Sequence, residues 1–507
     1  MPIHKLSTGA ARQPPLAPTD PGGRLAWLLG GGGALMLALL WAWMLGAGQL
    51  PFVSPLVDLG YLVTGRFWDA QGAAMLHGRL AVPCETLAGE AFMMADGCYG
   101  YFGVTPSLLR LPASLLCPAC AGSWNRVAML AAGLLNYLFT VLIAWQLLAG
   151  AVCGARRAAC AVGFGLMAAL SSSLLLVVGN PLPYYEAILW ASGFSLGGLW
   201  AALRWGKTGS PRAAAGMLLM CLLALNSRVT VGLGVSLTVA IALAAPLLRR
   251  WAQQRPWLAG AAARPRLWAL VGLLALGLAV ASPLAVNIAK FGRISPPFER
   301  QVIYRSDPVR LARIQSSPFS LRHLGCTLRG YLSPTVDTWP KFPWVLRSFS
   351  WVPPDPMLTD LSFCADAGME NIEPFYAIYY TFPALLLLTA LGWLTPVRGW
   401  RGRWDATSGL ALGAAAAVAP SFLFATLTHR YLHDLYPLLV LGAASGLAAL
   451  PRMAPLARRA FLAMLALAVL GGFYMNLTAT LTDAFSQPVA LANILALQRV
   501  LPWVVNW

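Results

Sequence analysis

The sequence predicts an all-α polytopic membrane protein with about eleven transmembrane helices, and three observations support this fold class. Of the 507 residues, 58% are hydrophobic and 11% are charged, whereas about a quarter of a soluble chain is charged. Apolar windows of roughly 20 residues, the length that crosses about 30 Å of hydrocarbon, recur along the chain. The Lys and Arg residues between these windows are shared unequally between two sides. A soluble multidomain enzyme, a disordered chain and a coiled coil are therefore excluded.

Two of the connections between the apolar windows are long. The windows lie near 25–47, 127–149, 158–179, 184–204, 213–227, 229–248, 267–289, 374–395, 406–427, 432–450 and 459–478. The first long connection (49–124) and the second (290–373) mix short helical patterns with Pro and aromatic residues, so we expect membrane-parallel helices on the external face. We expect residues 1–24 to form a disordered cytoplasmic tail and residues 25–484 to form the transmembrane bundle. Residues 485–507 should form an external tail at the membrane interface.

The formal net charge of +18 follows the predicted topology. Nineteen Lys and Arg residues fall on the side of the N-terminus, where the only acids are Asp20 and Asp405. Because short cytoplasmic loops are enriched in Lys and Arg, we expect a cytoplasmic N-terminus and, after eleven spans, an external C-terminus. The excess of Arg over Lys suggests a high-GC bacterial coding sequence, and we expect the protein to lie in a bacterial cytoplasmic (inner) membrane. The charge gives no support to a nucleic-acid partner.

Six of the nine cysteines fall on the predicted external side, where disulfides persist. Cys84 with Cys98 and Cys326 with Cys364 are plausible pairs within one connection, although spacing alone does not fix connectivity. The pattern Cys117-Pro-Ala-Cys120 allows a redox interpretation; we favour two small apolar residues, because no thioredoxin-like βαβ pattern surrounds it. No zinc-type spacing occurs, so no obligatory metal or cofactor is predicted, with a divalent metal as an open alternative.

Acidic residues in the first long connection are candidates for chemistry. Residues 68–80 predict a short helix that begins near Asp69, where the helix dipole favours a carboxylate. A helix cap is the simpler role for Asp69. Asp96-Gly97 is a turn signal between two β-like runs, so a turn role is more common there than catalysis. Asp58 follows the first predicted span more closely.

This connection contains the strings WDAQGAAMLHGRL (68–80) and GEAFMMADGCYGYFGVTPSLLRLP (89–112). Both strings resemble a poorly characterised bacterial branch of the GT-C glycosyltransferases. Further similarity occurs at Leu225–Arg228, Asn287–Gly292, Pro296, Pro297, Gln301, Phe342–Trp344 and Arg430–Pro437. Trp68, Gly72 and Val104 depart from the pattern, which has Tyr, Ala and Pro there. These departures remove no titratable group and leave the acceptor open.

The resemblance implies a polyprenyl-phosphate-dependent hexosyl- or pentosyltransferase of cell-envelope biogenesis. Its donor would be a polyprenyl-phosphate-linked sugar, and its acceptor a lipid-linked or cell-envelope glycan at the external membrane face. It implies an inverting reaction in which Asp69 is the general base, because transfer needs a group that accepts the acceptor proton. Asp58 and Glu90 are the alternatives for this role.

The donor phosphate calls for arginine side chains at membrane level. Arg228 and Arg430 lie at predicted external span ends, where an ionisable residue is either functional or extends to the headgroups. Arg430 and Asp434 are four residues apart, so a local ion pair is the simpler alternative. The other candidates for substrate binding are Tyr431, Asp96, Tyr101, Glu186, Arg300 and Gln301. Glu186 could pair with one of these arginines or line a cavity.

Two other functions remain open at the level of sequence. An O-antigen-type ligase or polymerase would place essential Arg and His residues in a late external loop and needs no acid after the first span. A membrane transporter would carry acids within its spans, or broken helices in matching halves of the chain. The sequence shows no evident internal repeat, and the Gly442–Gly446 spacing is typical of close helix packing.

Overall fold

A computed structural model describes most of the chain and is almost entirely helical. The described residues are 21–45, 66–117, 124–252, 263–314, 317–333, 337–338, 345–346, 364, 367–373, 375–394 and 403–483. Asp58, Cys120, the predicted C-terminal tail and nearly all of the predicted N-terminal tail lie outside these residues.

Each apolar window of the sequence coincides with a helix or a helix pair. These helices are α1 (Pro21–Leu45), α4 (Asn125–Leu148), α5 (Gly154–Leu170) with α6 (Ser173–Gly179), α7 (Pro183–Thr208), α8 (Pro211–Leu225), α9 (Val229–Ala252), α10 (Ala263–Phe291), α14 (Ile378–Thr381) with α15 (Pro383–Leu394), α16 (Arg403–Leu423), α17 (Tyr436–Ala449) and α18 (Pro455–Asp483). The fold class, an all-α multispanning membrane protein, is confirmed.

The number of membrane crossings stays a prediction. Within the described residues, six helices are long and apolar enough to cross a bilayer. A seventh crossing results if α5 and α6, which meet at an angle of 61°, form one span. The break has a local cause: the Ser172 hydroxyl accepts a hydrogen bond from the Leu174 amide at 3.2 Å and so caps a new helix. Four further apolar helical stretches, Pro211–Leu225, Val229–Ala244, Pro383–Leu394 and Leu412–Leu423, cover 10 to 17 residues each within the part of the chain that the structure describes.

The helices pack around α7, whose apolar window is 83% buried. Close packing elsewhere depends on small residues, as the sequence indicated for Gly446. A Cβ atom at Gly446 would lie 1.8 Å from the carbonyl oxygen of Leu388, so α17 and α15 approach each other backbone to backbone. A buried core of Leu, Val, Ala and aromatic side chains fills the space between α4, α7, α15 and α17.

The first long connection forms a small layer of its own. It contains α2 (Phe67–Leu76), the antiparallel strands β1 (Phe92–Met94) and β2 (Gly97–Tyr99), and α3 (Thr105–Leu116). Ala95 and Asp96 form the turn between the strands, and Gly97, the first residue of β2, has φ of +146°. The disulfide Cys84–Cys98, with 5.2 Å between Cα atoms, is one of the two pairs thought plausible from sequence.

The second long connection contributes short elements. They are α11 (Val302–Ser306), α12 (Pro308–Ile314), α13 (Leu324–Leu332), the antiparallel pair β3 (Asp337–Thr338) and β4 (Val345–Leu346), and β5 (Asn371–Ile372), which pairs in parallel with β6 (Thr426–Leu427). The second plausible pair, Cys326–Cys364, is also a disulfide.

Cys117 corrects the sequence interpretation. It is disulfide-bonded, so treating it as a small apolar residue was wrong. Its partner lies outside the described residues.

Candidate active site

Asp69 belongs to a buried network between the first long connection and the bundle. Helix α2 begins at Phe67, so Asp69 lies in its first turn and is not the N-cap residue. The Arg110 Nη1 donates to Asp69 Oδ2 at 3.2 Å, and the Ser114 hydroxyl donates to Oδ1 at 3.3 Å. Asp69 is 6% exposed. Two side chains of α3 therefore bind the Asp69 carboxylate.

Arg110 is shared between two acids. Its Nε donates to Glu186 Oε1 at 3.0 Å, its Nη2 contacts Glu186 Oε2, and Nη2 also donates to Asn125 Oδ1 at 3.0 Å. We call Asp69, Arg110, Asn125 and Glu186 the Asp69 network. Because Glu186 pairs with Arg110, the suggested pairing of Glu186 with Arg228 or Arg430 was wrong. A charge in such a buried position is stabilised only by partners of this kind.

A second group surrounds Arg228. Its Nε donates to Asp434 Oδ1 at 2.9 Å and its Nη2 to Oδ2 at 3.3 Å, and the Thr230 hydroxyl donates to Oδ2 at 2.6 Å. The simpler local pair between Arg430 and Asp434 does not form. Residues His429–Leu435 are a 3₁₀ segment, in which positions three apart, not four apart, share a face.

Arg430 is held by a different acid and by two aromatic rings. Its Nη2 donates to Glu373 Oε1 at 2.9 Å, and its Nη1 contacts Glu373 Oε2. Its Cζ lies 4.5 Å from the Tyr184 ring centroid and 5.4 Å from that of Tyr431. The Arg228 Cζ lies 5.1 Å from the Tyr431 ring. Tyr431 therefore contacts both guanidinium groups, and we call Arg228, Arg430 and Tyr431 the arginine site.

Glu90 lies beside the arginine site. Gln301 Nε2 donates to its Oε2 at 2.8 Å. Burial raises the pKa of Glu90, while the charges of Arg430 and Arg310 act to lower it. Arg310 itself pairs with Glu370 at 3.1 Å. A carboxyl group that is partly desolvated and near two guanidinium groups suits either proton transfer or recognition of a sugar hydroxyl.

The loop that carries Tyr101 is held from two sides. Lys290 Nζ donates to the carbonyl oxygens of Gly100 at 3.0 Å and Phe102 at 2.6 Å. A Cβ atom at Gly103 would lie 1.8 Å from the carbonyl oxygen of Asn226, so glycine is needed for this approach. Tyr101 stacks on Phe102, and the charges of Glu90, Arg228 and Arg430 act on its hydroxyl. Tyr101 thus belongs with the arginine site.

Two predicted residues lie apart from these groups. Asp96 is exposed and accepts a hydrogen bond from the Tyr99 hydroxyl at 2.5 Å, consistent with its turn position. Arg300 is exposed, and its Nη1 lies 3.8 Å from Met94 Sδ. Neither contacts Arg228 or Arg430. Among the residues that the structure describes, no group of three or more His, Cys, Asp or Glu side chains could hold a metal ion.

Three residues of these groups were missed at the level of sequence. Arg110, Glu373 and Lys290 all bind partners that lie far along the chain or across the bundle. The available signal was a charged residue within an apolar helical segment, as for Arg110 in SLLRLP. Such a residue is costly unless it is paired, so Arg110 and Lys290 could have been singled out as needing a partner. Glu373 lies next to β5, outside any helix, and carried no such signal.

Comparisons with known proteins find similarity to solved membrane proteins. The apo oligosaccharyltransferase of Archaeoglobus fulgidus matches at a TM-score of 0.44 and 13% identity, over 89% of this chain and 56% of that one. The complex of AglB from Archaeoglobus fulgidus with an inhibitory peptide and a dolichol-phosphate matches at a TM-score of 0.44 and 13% identity, over 88% of this chain and 56% of that one. ArnT from Cupriavidus metallidurans bound to undecaprenyl phosphate matches at a TM-score of 0.41 and 14% identity, over 92% of this chain and 77% of that one.

These proteins are GT-C superfamily membrane glycosyltransferases, the group that the sequence motifs resemble. The chain spans about half the length of the archaeal proteins. At TM-scores below 0.5 the likeness assigns no function to this chain. No family model and no curated protein matches the sequence.

Proposed function

We propose that this protein is a membrane glycosyltransferase that moves a sugar from a polyprenyl-phosphate donor to a lipid-linked or cell-envelope glycan at the external face of a bacterial inner membrane. The observation that carries the proposal is the arginine site, in which Arg228 and Arg430 flank Tyr431 next to Glu90. Such a donor combines a phosphate, a polar sugar and an apolar chain. Guanidinium groups suit the phosphate, and tyrosine and carboxylate groups suit the sugar.

The chemistry that follows needs one proton acceptor and a stabilised leaving group. The acceptor hydroxyl oxygen forms a bond to the anomeric carbon while the bond from that carbon to the phosphate oxygen breaks. The hydroxyl proton passes to a carboxylate, and the electron pair of the broken bond stays on the phosphate. Arg228 and Arg430 would stabilise that developing negative charge. A single displacement of this kind inverts the anomeric configuration.

Asp69 is our proposed general base. Arg110 is shared among Asp69, Glu186 and Asn125, so Glu186 competes with Asp69 for the same guanidinium group. Hydrogen bonds of a catalytic group often rearrange when substrate binds, which makes the resting contacts compatible with this role. Glu90 is the rival candidate, because the charge of Arg430 acts on its carboxyl group.

Radiolabelled transfer tests the function directly. The purified protein in lipid nanodiscs is incubated with a panel of polyprenyl-phosphate sugars and scored for sugar transfer or donor hydrolysis. Arg228→Ala and Arg430→Ala should raise the donor KM as well as lower kcat, because the phosphate is charged in the ground state too. If the donor KM and kcat were both unchanged in both variants, the proposed phosphate site would be contradicted. Failure of the whole panel, with folded protein, would contradict the proposed donor class.

A further inference from the structure

The contact between Arg430 and Glu373 occupies an edge of the guanidinium group through which a phosphate can bind. Both Nη atoms of Arg430 bind the two carboxylate oxygens of Glu373. The faces of the same guanidinium group are covered by Tyr184 and Tyr431. Because guanidinium groups bind carboxylates and phosphates through the same pair of parallel hydrogen bonds, the two anions compete for one edge.

Glu373 can leave this edge without unfolding its segment. Its backbone amide donates to the Leu427 carbonyl at 2.9 Å next to β5 and β6, which fixes the main chain. Its side chain is 29% exposed, twice the 14% of Arg430. A rotation about side-chain bonds would therefore bring the carboxylate into water.

The acid partner of Arg228 differs in this respect. The Asp434 side chain is fully buried, whereas that of Glu373 is 29% exposed. Each acid also accepts a hydrogen bond from a threonine hydroxyl, Asp434 from Thr230 at 2.6 Å and Glu373 from Thr428 at 2.7 Å. Removing it from Arg228 would leave a buried charge without water. Of the two acids at the arginine site, Glu373 is the one that a ligand can replace.

We propose that Glu373 occupies the donor-phosphate position on Arg430 in the resting protein and that the phosphate displaces it on binding. This inference rests on the proposed function and assigns to Glu373 a role in setting donor affinity. The resting protein then holds a built-in competing anion. Only the fraction of molecules in which Glu373 has turned away binds the phosphate directly, so the apparent affinity is reduced by that fraction.

Glu373→Gln tests the displacement. The amide keeps the size of the side chain and the acceptor for the Thr428 hydroxyl, which lies 2.7 Å from Oε2, but lacks the charge. A neutral partner binds a guanidinium group less strongly. The donor KM should therefore fall by about 10-fold, the change expected if roughly a tenth of the resting molecules are open, while kcat changes less. Binding of a short-chain polyprenyl phosphate, measured by titration calorimetry, should tighten by the same factor.

Glu370→Gln is the matched control. Glu370 lies on the same segment and pairs with an arginine, Arg310, that is not part of the arginine site. Its substitution should leave the donor KM and polyprenyl-phosphate binding unchanged. A similar fall in the donor KM for both variants would overturn the proposal, since removing a negative charge anywhere on this segment would then have the same effect.

Two further outcomes are decisive. A higher KM and weaker polyprenyl-phosphate binding in Glu373→Gln would mean that Glu373 positions Arg430 for the phosphate, and an unchanged KM would mean that it plays no part. Both results overturn the proposed displacement of Glu373.

Arg430→Ala separates this inference from the proposed function. If Arg430→Ala weakens polyprenyl-phosphate binding while Glu373→Gln does not tighten it, only the displacement fails. If Arg430→Ala has no effect on binding, the phosphate site itself is wrong.

Discussion

Asp69 and Glu90 are two carboxylates of one connection in different surroundings. Asp69 is held by Arg110 within the Asp69 network, whereas Glu90 receives a hydrogen bond from Gln301 and lies near Arg430. A general base must reach the proton of the acceptor hydroxyl and keep a lone pair for it. The two candidates therefore separate by substitution with the matching amide.

Asp69→Asn should lower transfer by roughly 10²- to 10⁴-fold, the usual contribution of a positioned general base. The amide oxygen can still accept from Arg110, so donor binding and thermal stability should stay close to those of the wild type. Transfer is measured with radiolabelled donor, binding by calorimetry and stability by thermal unfolding.

Asp96→Asn is the control for charge removal in the same connection, because Asp96 is exposed and bonded only to Tyr99 among the described residues. It should keep nearly full activity. Normal transfer by Asp69→Asn together with loss of transfer in Glu90→Gln would move the role of base to Glu90.

The pKa of Glu90 predicts a pH-dependent effect on stability. Burial raises this pKa above the ordinary value of 4.5, so at pH values above 4.5 the folded protein retains a proton that the unfolded chain has lost. Wild-type stability therefore decreases as pH rises through the interval between 4.5 and the raised pKa. Glu90→Gln has no such proton. Its melting temperature relative to the wild type should increase from acidic to neutral pH, and a difference that is constant with pH would contradict this assignment.

Residue contacts were less predictable from sequence than residue types. The sequence singled out Asp69, Glu186, Arg228, Arg430 and Asp434 as charged groups at membrane level, and all five lie in two buried or partly buried groups. Their partners were not predictable, because a salt bridge between positions far apart in the chain leaves no periodic pattern. The pairing of Arg430 with Glu373 rather than with nearby Asp434 depends on a 3₁₀ segment that apolar periodicity does not reveal.

At the scale of elements, the loop of residues 100–105 depends on its contact with the end of α8. The Thr105 amide donates to the Asn226 carbonyl at 3.0 Å, and Gly103 lies against the same carbonyl. Asn226 comes just before Arg228. A displacement of this loop would therefore disturb Tyr101 and Arg228 together.

Gly103→Ala should lower both stability and transfer. Its Cβ would lie 1.8 Å from the Asn226 oxygen, which forces the loop away from α8. Overpacking of this kind costs about 1–3 kcal/mol, and we expect a lower melting temperature with a raised donor KM. Gly163→Ala is the control, because its Cβ meets no atom within 4 Å. Equal effects of the two substitutions would show that the approach to Asn226 is unimportant.

The helices themselves were largely predictable, and the irregular segments were not. Apolar length and hydropathy located every bundle helix, because a bilayer imposes one length on its spans. The break at Ser172 depends on a side-chain cap, and β5 pairs with β6 across more than 50 residues. Such features depend on tertiary contacts that a linear pattern does not contain.

At the scale of the whole molecule, the charge distribution predicts orientation. A tag before Met1 should be accessible only from the cytoplasm and a tag after Trp507 only from the outside, because Lys and Arg concentrate on the side of the N-terminus. Protease protection in spheroplasts measures both. Tags on the same side would mean an even number of crossings and would contradict the predicted eleven spans.

The bundle helices differ widely in how much neighbouring helices cover them. The apolar windows of α18, α1 and α10 are 17%, 28% and 28% buried by the protein, against 83% for α7. In a bilayer the uncovered faces meet acyl chains, which adapt to the shape of a side chain, whereas α7 meets only fixed neighbours. Natural sequence drift that exchanges one apolar residue for another should therefore accumulate along α18, α1 and α10, the helices that border the annular lipid.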